Sequence, residues 1–434
     1  MNVNIGNLAT SSVKNGGRRF ICFLHRQTRE IHQGGWTVLF QKVRLLIKLR
    51  WHLVGLLLTR LLVILVRLLR PLVVIRFGPL RSDRIGHFAA NTEVYLCERD
   101  AGLHGQRIID IFYHSSPVCN QQLKKMWDRT LHVSRFANQL DRLNRNLPGG
   151  EKHVMSWRYN QDRDIHGLLA GTRAHLAFTP EEERLGRAAL DKLGISEGSP
   201  FVCFHARDSA YLNRAFTSNL NFNYHNYRDA NILNHLPAAE ELVCRGYFTI
   251  RMGAVVKDPL NTSNPRIIDY ATKYRTDFLD IFLGAKCRFF ICDTAGIYAI
   301  PMIFRRPIAW VNFVPLEYAP TWKANGLFIP KKLWLLKEHR FMTFHEILES
   351  GVGRFVYTEK YEQLGIEVIE NTPEEITALA IEMDERLKGT WETSEEDEEL
   401  QRRFWSLFKP SELNRVFLSR IGADFLRQNR ELLD

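Results

Sequence analysis

PFVCFHA, residues 200–206, is the run on which the reading of the fold turns. A proline opens it, four apolar residues follow without a break, and a histidine sits near its end. An uninterrupted apolar run of this length is the pattern of a strand buried on both faces. Three more such runs follow: YFTIRM (247–252), RFFICD (288–293) and IAWVNF (308–313). Segments of helical character, 237–244, 276–285 and 296–304, separate them. Strands that alternate with helices build a parallel sheet covered on both sides.

The same alternation starts further upstream. PLVVIRFG (71–78), RIIDIFYH (107–114) and 153–157 read as strands, and 88–99, 120–127 and 136–143 as helices. A helix over 180–193 carries the clearest local signals: Thr179 as N-cap, Pro180 first, Glu182 at the capping-box position and Gly194 as the stop. The expectation is an α/β chain with two Rossmann-like domains, 71–195 and 196–390, facing a cleft. A helix over 372–388 ends the second domain. The charge run ETSEEDEE (392–399) then opens a helical tail over 391–434, as a solvated loop or a helix start.

Ahead of this body lies a different kind of sequence. Residues 1–76 hold thirteen Lys or Arg against a single acid, Glu30. The full chain has 59 basic and 48 acidic residues, which leaves 46 and 47 for the rest. Residues 1–35, with Gly16, Gly17, Gly34 and Gly35, read as a loose leader. Residues 36–70 read as an amphipathic basic helix. On a wheel of 100° per residue, Lys42, Lys48, His52, Arg60, Arg67 and Arg70 share roughly a third of the circle; Arg44 and Arg50 fall outside it. Arg60 interrupts the apolar stretch, and a charge at mid-membrane is costly. An in-plane helix on an anionic membrane surface avoids that cost. A spanning helix and a helix covered by protein remain the alternatives. A secretory signal is not expected, because no small-residue cleavage site follows. Nucleic acid is not expected as a partner, because the charges alternate with aliphatic residues and the body is neutral.

The seven cysteines are scattered, with no CxxC pair and no zinc spacing. They fit a reducing compartment, hence a cytoplasmic protein resting on the inner face of the cell membrane. No metal site and no cofactor are expected. Asp162–Arg163–Asp164 has the form of a DXD metal motif but follows no strand.

Open α/β sheets bind ligands beyond the C-terminal ends of their strands. After the first strand comes LRSDRIGH (80–87). There Gly86 would let backbone approach a ligand, and His87 is either a general base or an ordinary helix-start histidine. After 200–204 come His205, for ligand contact or packing, and Arg207, for phosphate or for pairing with Asp208 or Asp229. Tyr227, Arg228 and Asp229 close the loop that follows. Arg251 and Gly253 end the next strand, with Arg251 as a second phosphate clamp. Asp293, Thr294, Ala295 and Gly296 form either a diphosphate seat at a helix start or a simple turn. Together these point to a nucleotide diphosphate.

FHARDSAYL (204–212), YRDAN (227–231), 251–253, CDTAGIYAI (292–300) and LFIPKKLW (327–334) resemble a sparsely characterised family of bacterial glycosyltransferases. The resemblance runs from about residue 71 to 391. More distantly the chain is similar to the GT-B architecture, and His205–Ala206–Arg207 to the His-x-Arg of fucosyltransferase-like enzymes. The resemblance implies metal-independent transfer from a GDP- or UDP-linked sugar to a surface-glycan or lipid-linked acceptor. It places Arg207 and the 293–296 turn on the donor. It names no base, for which His87 and Asp229 are the candidates. Inverting and retaining chemistry both stay open. So do a sugar-nucleotide epimerase or hydrolase of the same fold and a non-catalytic membrane-associated scaffold.

Overall fold

The computed structural model describes residues 6–105, 107–158, 160–210 and 223–434. In the first helix, side chains are described from His25 onward, except at residues 27, 31, 49, 52, 53 and 56. The chain divides into two compact units, Met1–Val74 with Gln139–His153, and Ile75–Asn138 with Val154–Asp434.

In the first unit a helix runs over Gly6–Leu68 and is broken at Gly35, where φ is 59° and ψ −154°. The leader expected to be loose is therefore helical from Gly6. Gly16 and Gly17 each cost about 1 kcal/mol inside a helix without ending it; Gly35 breaks it because it adopts a left-handed φ. Near the far end, the Arg67 guanidinium donates to the carbonyls of Asn144 (2.9 Å), Leu147 (3.1 Å) and Pro148 (2.7 Å). Arg67 thus serves the protein and leaves the exposed basic face. The His52 side chain, placed on that face by the sequence, lies outside the described residues.

The second unit is built on a seven-stranded sheet. In the first stretch of chain, β1 (Val74–Leu80) and β2 (Ile108–His114) pair with each other. The strand expected over 153–157 contributes only a parallel bridge, Val154 to Phe77. The large sheet uses β3 (Phe201–His205), β4 (Phe248–Arg251), β5 (Ile267–Asp269), β6 (Phe290–Cys292), β7 (Ile308–Phe313) and β8 (Gly326–Pro330). A three-stranded antiparallel sheet follows from β9 (Lys332–Leu335), β10 (Arg340–Phe341) and β11 (Ile366–Ile369). The edge strand β12 (Arg420–Ile421) returns to the large sheet.

The order of the large sheet is β12-β8-β7-β6-β3-β4-β5, and every pair in it is parallel. The chain leaves β3 toward β4 and β5, then returns to the other side of β3 with β6. That reversal is the topological switch point where open sheets bind ligands.

Helices cover the sheet. Ile85–Asp100 packs on Ala299–Ile303, and Pro373–Lys388 on Leu236–Cys244. The capping box at Thr179 and Glu182 forms as expected, and the acidic run becomes the helix Glu395–Ser406, capped by Ser394. The expected halves are not the observed units: 196–390 lies wholly in the second unit, whereas 71–195 is divided, with 139–153 in the first.

Two arginines, the buried Arg163 and the half-buried Arg305, tie the body together. Arg163 donates to the carbonyls of Leu413 (2.9 Å), Tyr318 (2.8 Å) and Ala319 (2.7 Å), and stacks 4.3 Å from the Trp322 ring. Asp164 accepts the N–H groups of Leu168 and Leu169. The DXD-like triplet thus spends its second and third residues on structure. Arg305 donates to Glu93 (2.7 Å) and to the Thr172 carbonyl (3.0 Å).

Candidate active site

The switch point sets the C-terminal ends of β3 and β6 side by side, with His205 opposite Cys292. Leaving β3, the chain presents the Arg207 N–H to the carboxylate of Asp293, which leaves β6. Asp293 is completely buried, and its second oxygen has no partner. Burial pushes its carboxyl above the usual range, opposed by His205, by the Arg207 N–H and by the charges of Arg207 and Lys331.

Around this pair stands a group of cations. Arg207 is 8 % exposed, and its guanidinium pairs with Asp229 and touches the His225 carbonyl at 3.3 Å. Burial, with Arg228 adding repulsion, pushes Arg207 down to about 10. Arg228 lies 5.7 Å from the Tyr227 ring centre, and its buried Nε has no partner. Lys331, 5 % exposed, donates to the Asp229 carbonyl at 2.6 Å. Burial lowers it, while Glu370 and Asp293 pull it back up. His225 is pushed down to about 3 by burial and by Arg228, Arg207 and Arg84. Burial first and the surrounding positive charge second both favour its neutral form.

The loop 80–87 belongs to the same group. Gly86 packs directly on Gly296: a Cβ built on Gly86 would stand 2.9 Å from the Gly296 Cα. Gly86 was expected to admit a ligand, but the approach it permits is backbone on backbone. The imidazole of His87 hydrogen-bonds through Nδ1 to Asn91 Oδ1 at 3.2 Å, which leaves Nε2 as the acceptor. Burial lowers its pKa, Asp162 opposes that, and Arg81 and Arg84 assist it.

Several expectations change. Asp229 is the counter-ion of Arg207, so the pairing left open by the sequence is the one observed, and Asp229 is not a free base. Arg251 is no phosphate clamp. It is 2 % exposed, donates to the Asp258 carbonyl at 2.6 Å and faces Asp269 at 3.6 Å. Gly253 serves the turn beside His205, because a Cβ there would meet Val256 at 2.6 Å. Nδ1 of His205 donates to the Met252 carbonyl at 2.9 Å. Tyr227 is buried, with its N–H on the Thr358 hydroxyl (3.1 Å) and its ring beside Tyr361 (5.5 Å).

The turn after β6 is also shorter than expected. Ala295 donates to the Asp293 carbonyl, and the Thr294 hydroxyl accepts the Val314 N–H at 3.2 Å. One 3₁₀ turn, Gly296–Tyr298, precedes a helix of only five residues, Ala299–Ile303. A helix this short adds little dipole. The positive charge gathered here therefore comes from side chains.

Lys331 and Asp162 were not read as site residues. A lone lysine after a strand has no motif, and within LFIPKKLW it carries only the family likeness. Asp162 was weighed only as part of the metal motif. Residues 211–222 of the neighbouring loop lie outside the described residues.

One group among the described residues has the composition of a metal site. Ligand atoms of Glu93, Cys97 and His175 lie within 4.8 Å of one another. Arg305 already occupies the position, 2.7 Å from Glu93 and 3.5 Å from the Cys97 sulfur. Its guanidinium supplies the positive charge a metal would bring, so the cluster is an ion network.

No family model matches the chain, and no curated protein matches it in sequence. Among solved structures it is similar to the Escherichia coli ADP-heptose lipopolysaccharide heptosyltransferase II. The identity there is 13 %, the TM-score 0.35, and the match covers 59 % of this chain and 90 % of that one. It is also similar to a glycosyl transferase family 9 protein from Veillonella parvula, at 10 % identity and TM-score 0.42, over 72 % of this chain and 97 % of that one. No residue's role is carried over from either.

Proposed function

We propose that the protein is a glycosyltransferase that moves a sugar from a nucleotide diphosphate donor to a glycan or lipid-linked acceptor. The observation that carries this reading is the convergence of Arg207, Arg228 and Lys331 on the switch point of the parallel sheet, around the buried carboxylate of Asp293. In a GT-B-type arrangement, residues 196–390 hold the donor and 71–195 the acceptor.

In this reading the diphosphate lies against the Arg228 guanidinium and the Lys331 ammonium. Arg207 exchanges part of its bonding to Asp229 for a phosphate oxygen, and forked guanidinium–phosphate contacts are strong. As the bond from sugar to diphosphate breaks, negative charge grows on the leaving group. Cations already in place then lower the barrier without reorganisation. His87, neutral and with Nε2 free to accept, takes the acceptor hydroxyl proton. GDP- and UDP-linked sugars are the donors of choice.

Product analysis tests the transfer. With donor and an acceptor extract, a new glycan or glycolipid should form together with free nucleoside diphosphate. Free sugar or an epimerised donor, appearing equally without acceptor, would instead make the protein a hydrolase or epimerase.

A further inference from the structure

Among the described residues, the helix Gly6–Leu68 carries a long unexplained apolar surface. Past Gly35, large apolar side chains stand in solvent along its length; Trp36 is 75 % and Trp51 71 % exposed. On the wheel, Leu57, Leu58, Leu61, Leu62, Leu65 and Leu68 span an arc of about 140°, and all six are exposed. The buried Val63 and Val66 and the pinned Arg67 occupy the remaining side. The protein thus uses one side of the helix and leaves a wide apolar one bare. Exposed apolar surface this continuous marks an interaction site.

Charge decides what covers it. Lys48, Arg50 and Arg60 are exposed among the leucines, and no acid occurs between residues 31 and 82. Glu30, the one acid before them, is held by Arg26 at 3.0 Å and by Lys42 at 2.8 Å across the Gly35 break. A second copy of the same helix would set like charges side by side, and the chain offers no acidic partner at coiled-coil spacing. Among the described residues no helix is long and apolar enough to cross a membrane.

We propose that residues 36–68 form an in-plane anchor that binds an anionic lipid surface. The leucine arc enters the acyl boundary, and Lys48, Arg50 and Arg60 meet acidic headgroups. Glu30 and Lys42 join the preceding helical piece to the anchor, so the single acid does not face the lipid as a free negative charge. This holds whichever reaction the body performs.

Vesicle sedimentation of the full chain tests it. Vesicles of phosphatidylcholine with about a third phosphatidylglycerol should pellet the protein at low salt. Pure phosphatidylcholine should retain much less, and added salt should weaken the binding. Lys48→Gln with Arg60→Gln should weaken partitioning roughly thirtyfold, at about a factor of five per charge. Leu58→Glu with Leu65→Glu should abolish it, with the thermal transition of the body unchanged. Equal binding to neutral and anionic vesicles, or none to either, would overturn the proposal. So would a stable dimer in sedimentation equilibrium that the Glu variants dissociate, because the second copy would then be the occupant.

Discussion

The backbone of Gly86 rests on the backbone of Gly296, at a distance that leaves no room for a side chain on Gly86 and little for one on Gly296. The contact joins the loop that follows β1 to the turn that follows β6. It therefore fixes His87 relative to Asp293 and the cations beside it. Gly86→Ala would place a methyl 2.9 Å from the Gly296 Cα and 3.2 Å from its carbonyl oxygen. Backbone cannot rotate away as a side chain can, so a cost of about 1–3 kcal/mol is expected. Gly296→Ala meets Gly86 at 3.2–3.3 Å and should cost less. Thermal unfolding of the two variants, with turnover on the same samples, checks the order.

Arg207 and Arg251 look alike in the sequence, each at a strand end, and the structure separates them. Arg251→Ala leaves the buried Asp269 without its cation and should destabilise the fold by about 3–5 kcal/mol. Donor affinity of the folded fraction should stay unchanged. Arg207→Ala should do the reverse. It frees the partly exposed Asp229 at modest cost to stability, and turnover should fall at least a hundredfold if its charge meets the leaving diphosphate. Urea titration and steady-state kinetics on both variants separate the roles.

His235 predicts an acid limb in stability. It is 1 % exposed and stacks near Phe204 with ring centres 6.5 Å apart. Burial pushes it down to about 4; the Asn231 backbone opposes that, and His205 and Arg251 add to it. Between about pH 4 and 6.5 the unfolded chain binds a proton that the folded chain does not, so stability rises with pH across this window. The group's share between pH 4.5 and 7 is roughly 2 kcal/mol. Urea midpoints of wild type and His235→Phe at the two pH values should differ by that share, with the variant less sensitive to acid.

How far the sequence revealed this depends on the length of the signal. The strand over 308–313 is legible to the residue because five of its six positions are apolar and all six are buried. The cap at Thr179 was legible because its chemistry is local. Three-residue β5 and two-residue β12 carry no period and were missed. The helix expected over 296–304 divides into a 3₁₀ turn, Gly296–Tyr298, and a short helix, Ala299–Ile303. Arg251 was misread because its partner Asp269 is eighteen residues on, and only the pairing of β4 with β5 brings it near. Lys331 went unnoticed because only the fold makes it a neighbour of Asp229.

Donor binding tests the account most directly. Isothermal titration or thermal shift with UDP-, GDP-, dTDP- and CMP-sugars, on wild type and on Arg207→Ala, isolates the diphosphate seat. A diphosphate-linked sugar should bind wild type and raise its melting temperature, the monophosphate-linked CMP-sugar should bind more weakly, and Arg207→Ala should lose most of the effect while remaining folded. Undiminished binding by Arg207→Ala, or the absence of any shift across the diphosphate-linked sugars, would contradict the account.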